Sequence, residues 1–262
     1  MNLDLTGRRV LVGGSTQGIG KAVAQELAMM GAHITLIARN AEELENVKNG
    51  LINLKQQKHH VLVADYSNPE EVKDVVSKYI AKGNEINILV NNTGGPAGGP
   101  ILQDEPEKFL TTFNQHLICN HILAQLTVDG MIATGYGRII NIISTSVKAP
   151  LPGLGVSNTI RAAVASWSKT LANEVGKYGI TVNNVLPGAT STQRLQGIIK
   201  NKANKNAQQE DEVRNEMLKE IPLARFAEAN EIANAVAFLA SPAAAYISGI
   251  NLPVDGGRLS TL

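Results

Sequence analysis

Val10–Gly20 reads VLVGGSTQGIG, an apolar run that breaks into a glycine-spaced turn. Val10, Leu11 and Val12 suit a buried strand. Gly14, Gly18 and Gly20 stand where the chain must turn sharply and open a helix. Glycine lacks a Cβ, so a pyrophosphate can approach the backbone closely. The free N–H groups at a helix start, together with its dipole, favour that negative charge. Ala22, Val23, Leu27 and Met30 follow at helical spacing, the context that turns such a motif into a nucleotide site. A plain structural turn is the alternative.

Further along, short β-branched runs alternate with helical periods. Strands are expected at Arg9–Val12, Ile34–Ile37, His60–Val63, Ile86–Val90, Arg138–Ile143, Thr181–Leu186 and Asn251–Val254. Leu44, Val47, Leu51 and Leu54, then Val72, Val75, Val76 and Tyr79, mark helices between them. Such alternation implies a parallel sheet covered on both faces. Right-handed crossovers make it doubly wound, with ligands outside the carboxyl ends of the strands. The expected architecture is one α/β Rossmann domain over residues 1–262, a seven-stranded parallel sheet in three αβα layers. Gly94–Pro100 (GGPAGGP) reads as a loop after the fourth strand. Gly197–Lys219 is polar and suits either a solvated surface helix or a flexible substrate lid within 190–219.

Composition narrows the function classes. Hydrophobic residues at 44% and charged residues at 18% fit a soluble globular protein. A net charge of +1 gives no electrostatic case for nucleic acid or an anionic membrane. The single cysteine, Cys119, excludes an intrachain disulfide and reads as a small apolar helix residue. No uninterrupted apolar segment reaches membrane-spanning length. MNLDLTGRR has no apolar stretch behind a basic start, so a cytoplasmic location is expected. No metal site is expected.

Together these residues resemble the short-chain dehydrogenase/reductase family nearly end to end. The family's TGxxxGxG turn stands as Gly13-Gly14-Ser15-Thr16-Gln17-Gly18-Ile19-Gly20, with Gly13 in place of its first Thr. Its NNAG stands as Asn91-Asn92-Thr93-Gly94, its PG as Pro187-Gly188, and its SG…VDGG as Ser248-Gly249 and Val254-Asp255-Gly256-Gly257. The chain looks most similar to the 3-oxoacyl-[acyl-carrier-protein] reductase branch. The resemblance implies that Gly14 to Gly20 hold the pyrophosphate and that Asp65, with Tyr66 beside it, meets the adenine. It implies that Asn92, Thr93 and Gly94 line the adenosine ribose side, and Pro187, Gly188 and Thr192 the nicotinamide end. It also implies a homotetramer or homodimer acting on a small-molecule or acyl-carrier-bound carbonyl. The choice of dinucleotide is readable from the residues. An NAD site places Asp or Glu about 20 residues beyond the turn. Here the second strand ends Ile37-Ala38-Arg39-Asn40 with no carboxylate, and Arg39 can pair with a 2′-phosphate. NADP(H) is therefore expected over NAD(H), unless Arg39 merely tips a strand into solvent.

The chain departs from the family at its chemistry. The family uses Ser, the YxxxK pair and an Asn. Ser144 stands at the Ser position, but Ser157 and Arg161 stand where Tyr and Lys belong, and His116 where Asn belongs. Gly137–Asn141 and Ser168–Ala172 fix that register on both sides. A serine hydroxyl is a far poorer acid than a phenol of pKa about 10. Arginine binds ribose hydroxyls but keeps its proton. Ser157 and Arg161 lie one turn apart on one helix face and can act as a pair. Val156, Ile160, Ala163, Trp167 and Leu171 beside them read as core. Three readings follow. The first is an NADP-dependent reductase with another proton donor, His116 first and Lys148 second. The second is dehydration or isomerisation, with Arg161 on an anionic substrate. The third is a dinucleotide-binding sensor or partner that turns nothing over.

Overall fold

The computed structural model describes residues 1–261, so Leu262, the last residue of the expected domain, lies outside them. Strand β1 (Arg9–Gly13) shows why the sheet is covered twice. Val10 and Val12 enter one buried cluster with Val23, Leu27 and Val236, while Leu11 enters the other with Val72, Val76 and Leu123. Successive side chains of a strand point to opposite faces, and here both faces are apolar. The remaining strands are β2 (His33–Ala38), β3 (His60–Val63), β4 (Ile88–Asn91), β5 (Gly137–Ile142), β6 (Ile180–Pro187) and β7 (Asn251–Val254). All pair in parallel, in the order β3-β2-β1-β4-β5-β6-β7. Chain order reverses between β1 and β4, which opens a crevice at their carboxyl ends.

Helices α1 (Gly18–Met29), α2 (Ala41–Asn49) and α9 (Ala229–Ala240) contribute to the first cluster. Helices α3 (Pro69–Ala81), α5 (Cys119–Thr134) and α6 (Gly155–Val175) contribute to the second. Helix α4 (Pro106–Phe113) runs into α5 through a π-helical turn, Asn114–Ile118. The whole run 106–134 is long and apolar enough, by composition, to cross a membrane. In this fold its Cys119, Leu123, Ala124 and Met131 are buried in the second cluster.

The polar stretch after β6 is more structured than a solvated helix. It forms α7 (Gln193–Asn206) and α8 (Glu210–Lys219), joined through Ala207 in the left-handed region (φ 52°). Leu195, Ile199, Ala203 and Val213 bury against Ile221 and Phe226 as a small core of their own. A minority of apolar residues at the right spacing was enough to fold it.

A row of asparagines crosses the sheet. Asn91, Asn141, Asn184 and Asn251 are register partners on β4, β5, β6 and β7. Each hands an amide N–H to the next carbonyl oxygen: Asn91 to Asn141 at 2.8 Å, Asn141 to Asn184 at 3.0 Å, Asn184 to Asn251 at 2.8 Å. Asn141 also donates to Ser168 Oγ on α6 at 2.9 Å. Buried amides are costly unless paired, and this chain pairs them with one another, leaving only the Asn91 oxygen at the head of the row buried without a partner among the described residues.

Candidate active site

The crevice at the β1/β4 switch is a cleft of about 1290 Å³. Pockets for compact ligands run to about 1,000 Å³, so this one has room for an extended molecule. Thr16, Gln17 and Gly18 form its floor, Arg39 and Asp65 one end, and Thr93, Gly94 and Thr192 the other. Gly14 and Gly18 both sit at φ 53°, a backbone state that side chains disfavour. Arg39 is exposed at the end of β2 and lowers the pKa of Asp65 across the cleft. The larger cause of that lowering is the Ser67 N–H, which donates to Asp65 Oδ1 at 2.8 Å.

Several residues expected to touch a dinucleotide instead build its cradle. Asn92 spends its amide on the Gly13 and Gly14 carbonyls, at 3.1 and 3.2 Å, and so clamps the turn to β4. Gly20 packs so tightly that a Cβ would collide with the Gly14 carbonyl. Ser15 is fully buried, and Ile19 packs on the first core cluster. Gly188 N–H donates to the Val254 carbonyl at 2.9 Å, which ties the Pro187-Gly188 corner to β7. None of these six lines the cleft. Asn40 does, yet its Oδ1 also caps α2 by accepting from Glu43 N–H at 3.2 Å. Tyr66 contributes to the cleft wall, while its buried hydroxyl fills the space beside Gly13 where a Cβ would lie 2.6 Å away. Thr192 caps α7, accepting from Leu195 N–H at 3.3 Å, and its methyl lies over Gly18.

Of the four expected catalytic residues, Ser157, Arg161 and His116 meet behind Gly94 and Gly95, and Ser144 follows Ile143, whose carbonyl Arg161 holds. Ser144 ends β5 half-buried. Its Oγ accepts from Ser146 N–H at 3.1 Å, which leaves its own proton free to donate. Ser157 lies in the first turn of α6, 6% exposed, with Oγ accepting from Arg161 Nε at 3.3 Å. Arg161, 8% exposed, sends Nη1 to the Ile142 and Ile143 carbonyls at 3.1 and 3.0 Å. His116 sits in the π-helical turn, 4% exposed, and its Nε2 has no partner. Burial, with Arg161 beside it, pushes the His116 pKa well below the usual imidazole value, and the Gly94 carbonyl offsets only part of this. The ring is therefore neutral near pH 7. That corrects the expectation of a titrating His116: it can donate a hydrogen bond, but it is not an imidazolium acid. Lys148 flanks Ser144 half-buried.

One residue escaped sequence reasoning. Arg194, on α7, donates to the Gly95 carbonyl at 2.8 Å and the Pro96 carbonyl at 3.0 Å, strapping α7 to the glycine-rich loop. Gly99 N–H donates to the Gly153 carbonyl at 2.8 Å and anchors the far end of that loop. An arginine two residues past Thr192 was the only signal in the sequence.

A family model described as enoyl-(acyl carrier protein) reductase matches residues 14–258. The chain belongs to the short-chain dehydrogenase/reductase family. A 3-oxoacyl-[acyl-carrier-protein] reductase of Rickettsia felis is 32% identical, over 98% of this chain and 99% of that one. Gluconate 5-dehydrogenase of Gluconobacter oxydans is 28% identical, over 97% and 95%. Among solved structures, L-sorbose reductase of Gluconobacter frateurii, complexed with NADPH and L-sorbose, superposes with a TM-score of 0.93 at 33% identity, covering both chains fully. The chain is thus that of a short-chain oxidoreductase, and its relatives' names divide between acyl-carrier, sugar and sugar-acid substrates.

Proposed function

We propose that this protein is an NADP(H)-dependent oxidoreductase acting on the carbonyl or secondary alcohol of a small or acyl-carrier-bound substrate. The observation that carries this reading is the cleft at the strand-order switch, with Arg39 and no carboxylate at the end of β2. The cradle fits the group. Gly14 and Gly18 hold left-handed backbone that leaves the α1 N–H groups open to a pyrophosphate. Arg39 meets a 2′-phosphate, Asp65 and Tyr66 the adenine side, Thr93 and Gly94 the ribose side, and Thr192 the nicotinamide end. Bound there, the reduced dinucleotide supplies hydride.

The chain's own residues hold the substrate oxygen and keep water out. Ser144 is the group this reading sets against that oxygen, because its proton is uncommitted. Ser157 is a poor substitute for a phenol: it is short, weakly acidic, and already accepts from Arg161. Its role is to hold Arg161. Helices α7 and α8 act as the lid, with Arg194 as the strap. We read the molecule as a cytoplasmic homo-oligomer.

The test is NADPH consumption, followed by absorbance, over a panel of 3-oxoacyl thioesters, ketoses and oxo acids. Turnover is expected on at least one class, with kcat in Ser144→Ala lower by about 10²-fold or more, the typical loss of one oxyanion donor. Full activity in that variant would remove Ser144 from the chemistry. A second reading, binding without turnover, draws on the missing phenol. Saturable NADPH binding with no consumption across the panel would favour it.

A further inference from the structure

Arg161 and Arg194 form a charge arrangement that the redox reading leaves unexplained. Both approach Gly95: a Cβ there would lie 2.8 Å from Arg194 Nη2 and 3.2 Å from Arg161 Nη2. Among the described residues, neither guanidinium pairs with a carboxylate. Burial, with Arg194 as the second cause, pulls Arg161 down to about 10, and burial lowers Arg194 too. A buried charge such as Arg161 is ordinarily paired or matched by a ligand, and the more exposed Arg194 adds a second positive charge beside it.

The donors already in use show where a ligand would sit. Arg161 commits Nη1 to two β5 carbonyls and Nε to Ser157, while Nη2 makes no hydrogen bond among the described residues. Arg194 commits both terminal nitrogens to Gly95 and Pro96. His116 Nε2 is buried and unpartnered next to the same group. The two N–H groups of Arg161 Nη2 thus remain unspent, which matches the two oxygens of a carboxylate, while the bare His116 Nε2 beside them can accept a hydrogen bond from a substrate hydroxyl. Gly95, between the guanidinium groups, lines the cleft.

We infer that Arg161, supported by Arg194 and His116, binds the carboxylate of an oxo-acid substrate beside Gly95 of the cleft wall. This deepens the proposed function and rests on its placing of substrate beside the dinucleotide. The competing source of negative charge is the dinucleotide's own phosphates. The fold argues for the substrate. The phosphate cradle is at β1, whereas Arg161 is anchored to the end of β5, two strands across and beside Ser144.

Calorimetric titration with malonate, a non-reacting carboxylate, decides the matter on protein saturated with NADPH and on free protein. Malonate is expected to bind the NADPH-loaded protein, at least tenfold more weakly in Arg161→Gln and in Arg194→Gln. Arg194 is exposed, so the second variant tests the site even if the first fails to fold. Binding that NADPH abolishes would assign the arginines to the dinucleotide and overturn the inference. Absence of binding in both forms, or binding unchanged in the variants, would overturn it as well. If NADPH itself fails to bind, the cofactor reading falls, and the titration of free protein and its variants still judges the anion site.

Discussion

His116 shows how burial changes what a residue can do. Its sequence position suggested a titrating acid, but the π-helical turn places it 4% exposed next to Arg161, where the ring stays neutral. The native state therefore refuses a proton that the unfolded chain, with a His pKa of about 6.5, accepts. Stability is full above pH 6.5 or so and falls as pH drops below it, at up to about 1.4 kcal/mol per pH unit for one such group. Burial gives His33 and His60 shifts of the same sign, so the acid-side slope is shared. Urea denaturation between pH 7 and pH 5 should show His116→Gln losing less stability than wild type. Equal losses would mean that His116 protonates freely in the fold. No pattern along the chain encodes this, because it comes first from the burial that tertiary packing imposes and then from Arg161, 45 positions away in sequence. Arg39, by contrast, was legible as a position, since counting from the glycine turn to the end of the next strand places it, and there it lines the cleft. The glycines were legible as a set but not individually. Only packing shows that Gly20 braces the turn while Gly18 faces the cleft.

Among the elements, the strands were readable and their connections to one another were not. β4 runs Ile88–Asn91, later than expected at its start, where the Asn87 side chain takes the Arg9 N–H at 3.0 Å while the Asn87 backbone still bonds Arg9 and Arg138 on either side. Asn91, Asn141, Asn184 and Asn251 were visible inside apolar runs, yet the ladder they form exists only once the strands are in register. Asn141 is its central member. Asn141→Ala would strand the Asn91 amide and the Asn184 carbonyl in the sheet, at about 1–3 kcal/mol for each unsatisfied group. Chemical denaturation should report a loss of about 2–6 kcal/mol. A loss under about 0.5 kcal/mol, the range of ordinary surface substitutions, would show that the ladder carries no stability. The α7–α8 segment shows the converse failure. Its polar composition suggested a solvated stretch, but four apolar residues at helical spacing give α7 and α8 a core, and Arg194 reaches a loop 99 positions away.

For the whole molecule, strand–helix alternation dictated a parallel sheet with its crevice at the carboxyl ends, and the observed order puts the switch between β1 and β4. The glycine turn and Arg39 at the end of the second strand were readable as positions, and both line the cleft. The meeting of Arg161, Arg194 and His116 was not, because it joins three different elements. All the functional proposals require the cleft to take a dinucleotide that carries a 2′-phosphate. Calorimetric titration of the wild-type protein with NADPH and with NADH tests this most directly, with Arg39→Ala alongside. The account predicts saturable binding of NADPH at least tenfold tighter than NADH, and loss of about 1.5–3 kcal/mol of that preference in the variant, the worth of a charge-assisted hydrogen bond. No binding of either nucleotide, or equal binding of the two by the wild type, would contradict it.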